Sequence, residues 1–334
     1  MKLGILTILL LLNVSLKSSE LNIYTHRHYD ADKTLYDKFF NLTGIKINVI
    51  KGSADQLMER LLKEGENTPA DILITVDAGR LHRAKNLNIL QSVETNKLKL
   101  NVPENLRDPD GYWYGLTIRA RVIIYSNERV NVDDLSSYED LASPKWKGKI
   151  LSRSSSNIYN QSLMASIIES NGSNNAYLWA KNVRDNMARA PRGNDRDQIR
   201  AVANGIGDLA IVNTYYVGKM KNSIDIKDRE LIEKVSIFFP NQNDRGTHIN
   251  VSGAGVVRYS KNKNNAIKFL EFLTSDEVQK IFAEINYEYP LNFTNNQSKL
   301  LESWGIFKYD KVNLSVLGEK NNEAVKIFDR AGWE

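Results

Sequence analysis

Cysteine is absent from the 334-residue sequence, and only four histidines are present. The absence of cysteine excludes a disulfide framework, a thiolate zinc site, an iron–sulfur cluster and a cysteine nucleophile. It also excludes a lipid anchor attached through cysteine. It leaves the redox compartment open, because a protein without thiols is compatible with an oxidising or a reducing environment.

The common catalytic motifs are missing as well. The sequence has no G-x-S-x-G nucleophile turn, no P-loop, no G-x-G-x-x-G before a helix and no H-E-x-x-H. The serine run Ser154–Ser156 is more typical of a loop or a helix cap than of a nucleophile. An exported hydrolase or metalloenzyme that uses Ser155 or the His26/His28 pair is an alternative, but it needs a general base and an open metal position. We therefore expect no enzymatic activity.

The residues that are present have the composition of an ordinary globular protein, with 42% hydrophobic and 25% charged residues. The length suggests about two domains. Lys and Arg exceed Asp and Glu by 45 to 40, a formal charge of +5, but the basic residues are spread along the chain. Short clusters such as Lys97–Lys99 and Lys145–Lys149 are typical of solvated faces, so we expect no nucleic-acid partner.

Residues 1–19 have the three parts of a secretory signal peptide. Lys2 supplies a basic start, Leu3–Leu12 is apolar, and Lys17–Ser19 is a small polar segment at the cleavage zone. The apolar run is shorter than the roughly 20 residues that cross a bilayer. The sequence therefore predicts a cleaved signal peptide and an exported protein.

Short apolar runs alternate with amphipathic segments after the signal. The first set comprises Leu21–Tyr24, Ala31–Leu42, Ile45–Ile50, Asp55–Lys63 and Asp71–Val76. The second set comprises Lys149–Leu151, Leu163–Glu169, Ala176–Arg184, Gln198–Asn204 and Asp208–Val212. This alternation predicts an α/β fold with a largely parallel sheet.

Two further β-rich segments, Leu116–Tyr125 and Val235–Phe239, are long enough to connect the two sets. Ala266–Leu273 and Asp276–Ile285 predict two helices near the end. Two α/β lobes joined by such strands would leave a cleft between them, where small ligands commonly bind.

Three segments that follow predicted strands carry candidate ligand residues, at the position where α/β folds place ligand contacts. They are His26–Asp30, Ser152–Tyr159 and Asn213–Gly218, which contains two adjacent tyrosines. Taken singly, each is also compatible with a solvated loop, a helix cap or aromatic packing. Thr214 is predicted as the N-cap of a helical turn in which the adjacent phenols converge.

Tyrosine, with fifteen copies, indicates the class of metal. The pKa of phenol is near 10, so phenolate is scarce at neutral pH unless a strong cation stabilises it. Ferric iron is hard, triply charged and suited to oxygen donors. Zinc, copper or calcium would recruit more histidines, thiolates or a carboxylate loop. A tyrosine-rich site without cysteine therefore favours Fe(III), provided that the three segments meet.

At these residues the sequence resembles the bacterial periplasmic ferric-ion-binding proteins, the substrate-binding components of iron ABC transporters. The matching stretches include LNIYTHRHYDADK, TPADILIT and, most specifically, the TYY turn in GDLAIVNTYYVGKM. The resemblance implies a two-lobed class II periplasmic-binding-protein fold, related to transferrin lobes, with a ligand cleft and hinge strands. It also implies a periplasmic location, an inner-membrane ABC permease and its ATPase as partners, and a monomer.

For such a fold we expect a signal peptide over 1–19 and two α/β lobes. The N-terminal lobe is expected to comprise 20–117 and 241–290, and the C-terminal lobe 118–240 and 291–334.

The family's ligands, with one neighbour inferred from its chemistry, give five metal donors. They are Tyr215 and Tyr216 (the family's tyrosine pair), His28 (its histidine ligand), Tyr159 (a further phenolate of tyrosine-rich members) and Tyr29 (the neighbour inferred from chemistry). The matching histidine is His28 and not His26.

The sequence departs from the family at one ligand. Some members use a glutamate after the P-A-D strand, where this sequence has Val76, so additional phenolates would make up the donor count. Many members also bind a synergistic anion such as carbonate or phosphate, which Arg119 and Ser155 would support here; water is the alternative.

A receptor of the same fold for a small organic cation or oxyanion is the rival function, and it predicts aromatic packing or arginine clamps.

Overall fold

The computed structural model describes residues 19–27, 29–293 and 298–334, so residues 1–18 of the predicted signal peptide lie outside it. The strands are β1 (Glu20–Thr25), β2 (Lys46–Lys51), β3 (Ile72–Val76), β4 (Tyr114–Ser126), β5 (Ile150–Leu151), β6 (Leu209–Asn213), β7 (Val235–Phe238) and β8 (Ile249–Val256). The helices are α1 (Asp30–Thr43), α2 (Ala54–Glu64), α3 (Ala78–Asn86), α4 (Asn96–Asn101), α5 (Ile158–Asp185), α6 (Asp195–Ala203), α7 (Thr214–Lys221), α8 (Ile226–Ile232), α9 (Lys263–Leu273), α10 (Asp276–Ile281), α11 (Lys299–Ser303), α12 (Ser315–Glu319) and α13 (Asn321–Ala331).

Local sequence signals account for the first helices. Helix α1 ends at Gly44, whose φ of 70° lies in the left-handed region that favours glycine, and whose N–H donates to the carbonyl of Phe40. Helix α2 begins with a capping box, in which the side chains of Ser53 and Gln56 each bind the other's backbone N–H. Both helices lie where the periodicity predicts them.

The strands pair in the order β2-β1-β3-β8-β4-β6-β5, and β7 also pairs with β4. The long strand β4 lies between two groups of strands: the first group is β1–β3, which β4 reaches through β8, and the second group is β5–β7. It pairs with β8 over Tyr114–Ala120 and with β6 and β7 over Arg121–Ser126. The prediction of connecting strands in the middle of the sequence is therefore confirmed for β4, and the predicted Val235–Phe239 is β7.

The prediction of a largely parallel sheet is wrong for the centre of the sheet. Parallel pairing is found for β1 with β2 and β3, and for β5 with β6. Strands β4 and β8 run antiparallel to each other, and β4 is also antiparallel to β6 and β7. Parallel strands need a crossover connection, usually a helix, and the parallel pairs lie within the two groups. Strands β4 and β8 lie between the groups and pair with their neighbours in the antiparallel direction.

The two helices predicted at Leu163–Glu169 and Ala176–Arg184 belong to one element, α5, which is interrupted at Gly172 (φ 77°). Helix α13 packs along α5, and Phe328 of α13 contacts Trp333 with ring centroids 5.0 Å apart. The predicted helix Asp276–Ile285 corresponds to α10 and a following π-helical turn, Phe282–Asn286. Among the described residues, none of the helices combines the length and apolar composition needed to cross a bilayer.

His248, just before β8, is expected to make folding stability depend on pH. Its side chain is buried, and burial together with the positive charges of Arg121 and Arg245 lowers the pKa of the imidazole from 6.5 to about 3. Below pH 6.5 the unfolded chain therefore binds a proton that the folded chain does not, and stability falls as the pH drops toward 3. Between pH 7 and pH 5 we expect His248 to account for a loss of about 2 kcal/mol.

Urea unfolding of the wild type and of His248→Asn at both pH values checks this expectation. The variant should lose less unfolding free energy between pH 7 and pH 5 than the wild type. Equal losses in the two proteins would show that His248 does not contribute.

Candidate metal centre

Four tyrosines lie at the N-termini of three helices, each of which follows a strand. Tyr29 is the N-cap residue of α1, after β1. Tyr159 is the second residue of α5, after β5, and Tyr215 and Tyr216 are the second and third residues of α7, after β6. Ligand sites of α/β proteins occupy this edge of the sheet, and helix N-termini favour negative charge.

The structure brings these four tyrosines together. The hydroxyl oxygens of Tyr159 and Tyr215 are 3.4 Å apart. The ring centroids of Tyr215 and Tyr216 are 4.1 Å apart, and those of Tyr29 and Tyr215 are 6.4 Å apart. We call Tyr29, Tyr159, Tyr215 and Tyr216 the tyrosine cluster.

The start of helix α7 is fixed by contacts that differ from those expected. Asn213, and not Thr214, is the N-cap residue, while the Thr214 hydroxyl accepts a hydrogen bond from the N–H of Ala120 in β4 (3.3 Å). Gly218 allows close packing on the other side of the helix, since a Cβ there would lie 2.5 Å from Cβ of Tyr287. Helix α7 is thus held between β4 and the segment that leads to Glu288.

A buried ion network lies behind the tyrosine cluster. Asp195, at the start of α6, binds the guanidinium groups of Arg121 (2.9 Å) and Arg153 (3.2 Å) and accepts the N–H of Asn213 (2.9 Å). Arg121 also donates to the side chain of Asn160 (2.7 Å), which follows Tyr159 in α5. The network therefore ties together the segments that carry Tyr159 and Tyr215.

Glu288 is a site residue that sequence reasoning missed. Its fully buried carboxylate accepts hydrogen bonds from the hydroxyl of Tyr29 (3.1 Å) and the hydroxyl of Thr117 (2.8 Å), and it pairs with Arg119 (3.0 Å). Glu288 stands between two tyrosines in the sequence YEY, and neither spacing nor periodicity distinguishes it from a surface glutamate.

An arginine lies beside each member of the tyrosine cluster. The distances from guanidinium carbon to ring centroid are 4.7 Å for Arg27 and Tyr29, 5.5 Å for Arg119 and Tyr215, 5.8 Å for Arg121 and Tyr159, 5.6 Å for Arg153 and Tyr159, and 5.9 Å for Arg196 and Tyr216. Positive groups at this range stabilise negative charge on the phenol oxygens in a partly buried setting.

Burial keeps three phenols of the cluster protonated when no cation is bound. Burial raises the pKa of Tyr29 and of Tyr215 well above the ordinary value near 10, and raises the pKa of Tyr216 to about 12. Burial alone would lower the pKa of Arg119, but Tyr29 and Glu288 raise it, so this guanidinium stays charged. A cation that bound here would release protons from the phenols.

Two of the other predicted residues, His26 and Ser155, make contacts elsewhere. His28 lies outside the described residues. His26 is half-buried, and its Nδ1 is 3.2 Å from the carbonyl oxygen of Gly52. Ser155 is half-buried, its backbone N–H points to the carbonyl of Glu334 (3.4 Å), and its hydroxyl is bonded to no histidine or carboxylate among the described residues. Ser155 therefore lacks, among the described residues, the histidine partner that a catalytic serine needs.

Val76, at the position of the family's glutamate, is buried, and the next residue carries a carboxylate. Asp77 has a φ of 81° and is also fully buried, and burial raises its pKa. Among the described residues, no group of three or more His, Cys, Asp or Glu side chains is placed to hold a metal ion.

Comparison with known proteins agrees with the fold and indicates a function. A family model described as bacterial extracellular solute-binding protein matches residues 67–307. Iron uptake protein A1 of Synechocystis sp. is 49% identical over 95% of this chain and 88% of its own length. Among solved structures, the Trichodesmium protein IdiA (FutA) with iron and citrate is similar with a TM-score of 0.93 and 52% identity, over 95% of this chain and 100% of that chain.

A more distant solved structure, the ferric binding protein of Campylobacter jejuni, has a TM-score of 0.88 and 44% identity, over 94% of this chain and all of its own. These likenesses extend over nearly the whole described chain. They confirm the predicted two-lobed periplasmic-binding-protein fold.

Proposed function

Because the chain belongs to the bacterial extracellular solute-binding protein family, we propose that it captures ferric iron in the tyrosine cluster and delivers it to a membrane importer. The observation that carries the proposal is the cluster itself, four phenols gathered at three helix N-termini with a guanidinium beside each ring. Similarity to proteins named for iron uptake and ferric binding supports the same cargo. The chain acts as a carrier and not as an enzyme.

The tyrosine cluster would supply four oxygen donors to the ion. His28 is the proposed fifth donor, on the strength of the family resemblance. Ferric iron accepts about six ligands, so one position is left for water or a small anion. Three or four phenolates balance the 3+ charge of the ion, and the surrounding arginines balance any excess negative charge.

Arg119 is the side chain best suited to an accompanying anion. It is buried, one nitrogen pairs with Glu288, and its Nε and Nη1 have no hydrogen-bond partner among the described residues. Buried donors of this kind favour an oxygen-rich anion such as carbonate or phosphate. Ser155, whose N–H is already bonded, would contribute only its hydroxyl.

The two lobes would supply ligands from opposite sides of the cleft. In the proposed division, the N-terminal lobe (20–117 and 241–290) carries Tyr29, and the C-terminal lobe (118–240 and 291–334) carries the other three tyrosines. Closing the lobes about the β4 crossing would assemble the site, and opening them would release the ion. The change of β4 pairing partner after Ala120 supports a hinge at this point.

A periplasmic carrier fits the remaining sequence features. The proposed signal peptide, 1–19, would direct export, and cleavage would release the chain without a lipid anchor. The proposed partners are an inner-membrane ABC permease and its ATPase, which the family implies, and the carrier itself would be a monomer.

Titration with ferric citrate tests the proposal. Phenolates bound to ferric iron absorb visible light, so we expect a visible band that saturates at one iron per chain. A parallel titration with zinc, which lacks such a transition, is the control. The rival receptor for a small oxyanion is supported by the unpartnered donors of Arg119, and a colourless ferric mixture would favour it over our proposal.

A further inference from the structure

Asp77 is a buried carboxylate that the proposed metal site does not use. It lies between β3 and α3, is fully buried, and takes a backbone conformation with φ of 81° that side-chain-bearing residues rarely adopt. Among the described residues, its carboxylate pairs with no Lys, Arg or His. Its direct contacts are hydrogen bonds, and the charges of Arg80 and Arg119 act on it from a longer distance.

Those hydrogen bonds come from three separate parts of the fold. The hydroxyl of Ser162 in α5 lies 2.7 Å from Oδ1 and 2.9 Å from Oδ2. The amide of Asn250 in β8 donates to Oδ2 (2.9 Å), and the N–H of Gly79 in α3 donates to Oδ1 (2.8 Å). The Asn250 oxygen in turn accepts the N–H of Ala78 (2.8 Å).

Asp77, which follows β3, therefore connects helix α5 to strand β8 and to the start of helix α3. Its own N–H donates to the carbonyl of Val251 in β8 (2.9 Å), which fixes the turn from the other side. Ser162 is three residues after Tyr159, so the two side chains share one face of the first turns of α5. A displacement of this end of α5 would carry the Tyr159 hydroxyl away from Tyr215.

We propose that Asp77 is a positioning residue of the iron site, which holds the start of α5 through Ser162 so that the phenol of Tyr159 stays within the tyrosine cluster. This inference rests on the proposed function for its consequence, but the contact itself does not depend on iron. Some family members have a glutamate at the position of Val76, and its carboxylate is a metal ligand. In this chain Val76 is apolar, and the neighbouring carboxylate, that of Asp77, instead accepts hydrogen bonds from Ser162 in α5 and Asn250 in β8.

Ser162→Ala tests this proposal, with Ser166→Ala as the matched control. Ser166 lies one turn further along α5, is also buried, and its hydroxyl has no partner among the described residues. Both variants lose one buried hydroxyl from the same helix. Only Ser162→Ala removes a donor from the Asp77 carboxylate, and hydrogen bonds to charged groups are the strong ones.

We expect Ser162→Ala to release iron to a competing chelator about tenfold faster than the wild type. Its visible absorption band should also shift, because one phenolate moves relative to the ion. Ser166→Ala should match the wild type in both measurements. Equal release rates and equal spectra for the two variants would overturn the proposal, and thermal unfolding of both shows whether each remains folded.

Hydrogen exchange of the iron-free proteins separates this inference from the proposed function. Ser162→Ala should speed amide exchange in the first turns of α5, and Ser166→Ala should not. If the wild type gives no visible band with ferric iron, the proposed function fails, while the exchange result still decides whether Asp77 holds α5. Unchanged exchange in Ser162→Ala would contradict the role of Asp77 whatever the cargo.

Discussion

Replacing Tyr215 with phenylalanine is expected to weaken ferric-iron binding by more than about 100-fold. Tyr215 is at the centre of the tyrosine cluster, with its hydroxyl 3.4 Å from that of Tyr159 and its ring against those of Tyr29 and Tyr216. Residues that merely support a metal ligand contribute roughly 10- to 100-fold to affinity, so loss of a ligand should exceed that range. Phenylalanine keeps the ring packing and removes only the donor oxygen.

Competition with a chelator of known ferric affinity measures this effect. Tyr125→Phe is the matched control, because Tyr125 is half-buried near the other end of β4, opposite Ser236, and lies outside the cluster. It should bind iron as the wild type does. Tyr216→Phe should behave like Tyr215→Phe, and wild-type-like iron retention in either cluster variant would rule out the assigned ligands.

Asp195→Ala is expected to lower the unfolding free energy of the iron-free protein by about 3–5 kcal/mol. Asp195 is fully buried and neutralises Arg121, which is also buried, as well as Arg153. Removal of the carboxylate leaves these two guanidinium groups without their counter-ion in a region of low polarity. The N–H of Asn213, at the start of α7, loses its acceptor at the same time.

Asp208→Ala is the control for this prediction. Asp208 also pairs with two cations, Arg129 (2.7 Å) and Lys149 (3.9 Å), but those side chains are 34% and 41% exposed. Ion pairs near the surface contribute about 1 kcal/mol or less. Urea unfolding of both variants should therefore show a large loss for Asp195→Ala and a small one for Asp208→Ala; equal losses would contradict the buried-network account.

Most of the fold could be predicted from the sequence, because hydrophobic periodicity and helix caps are local signals. The helix that ends at Gly44 and the strand that precedes the TYY residues lie within a residue or two of the expected bounds. The antiparallel centre of the sheet could not be predicted in this way. Strand direction there depends on which partners β4 and β8 meet, and local sequence does not encode long-range pairing.

The candidate site, like the fold, could be predicted only in part from the sequence. Tyrosine content, the positions of three segments after strands and a family resemblance were enough to select Tyr29, Tyr159, Tyr215 and Tyr216, and the structure brings these four together. The ligand roles of these residues stay predictions, as does that of His28. The supporting residues Glu288, Asp195 and Asp77 were not identified, because a buried carboxylate looks the same in sequence as an exposed one, and only the fold supplies its partners.

An anomalous difference map at the iron absorption edge, from crystals grown with one equivalent of ferric iron, tests the central claim most directly. We predict one peak per chain, contacted by the hydroxyl oxygens of Tyr29, Tyr159, Tyr215 and Tyr216. Two results would contradict the account: no peak, or a peak contacted by other residues while the tyrosines of the cluster contact only one another.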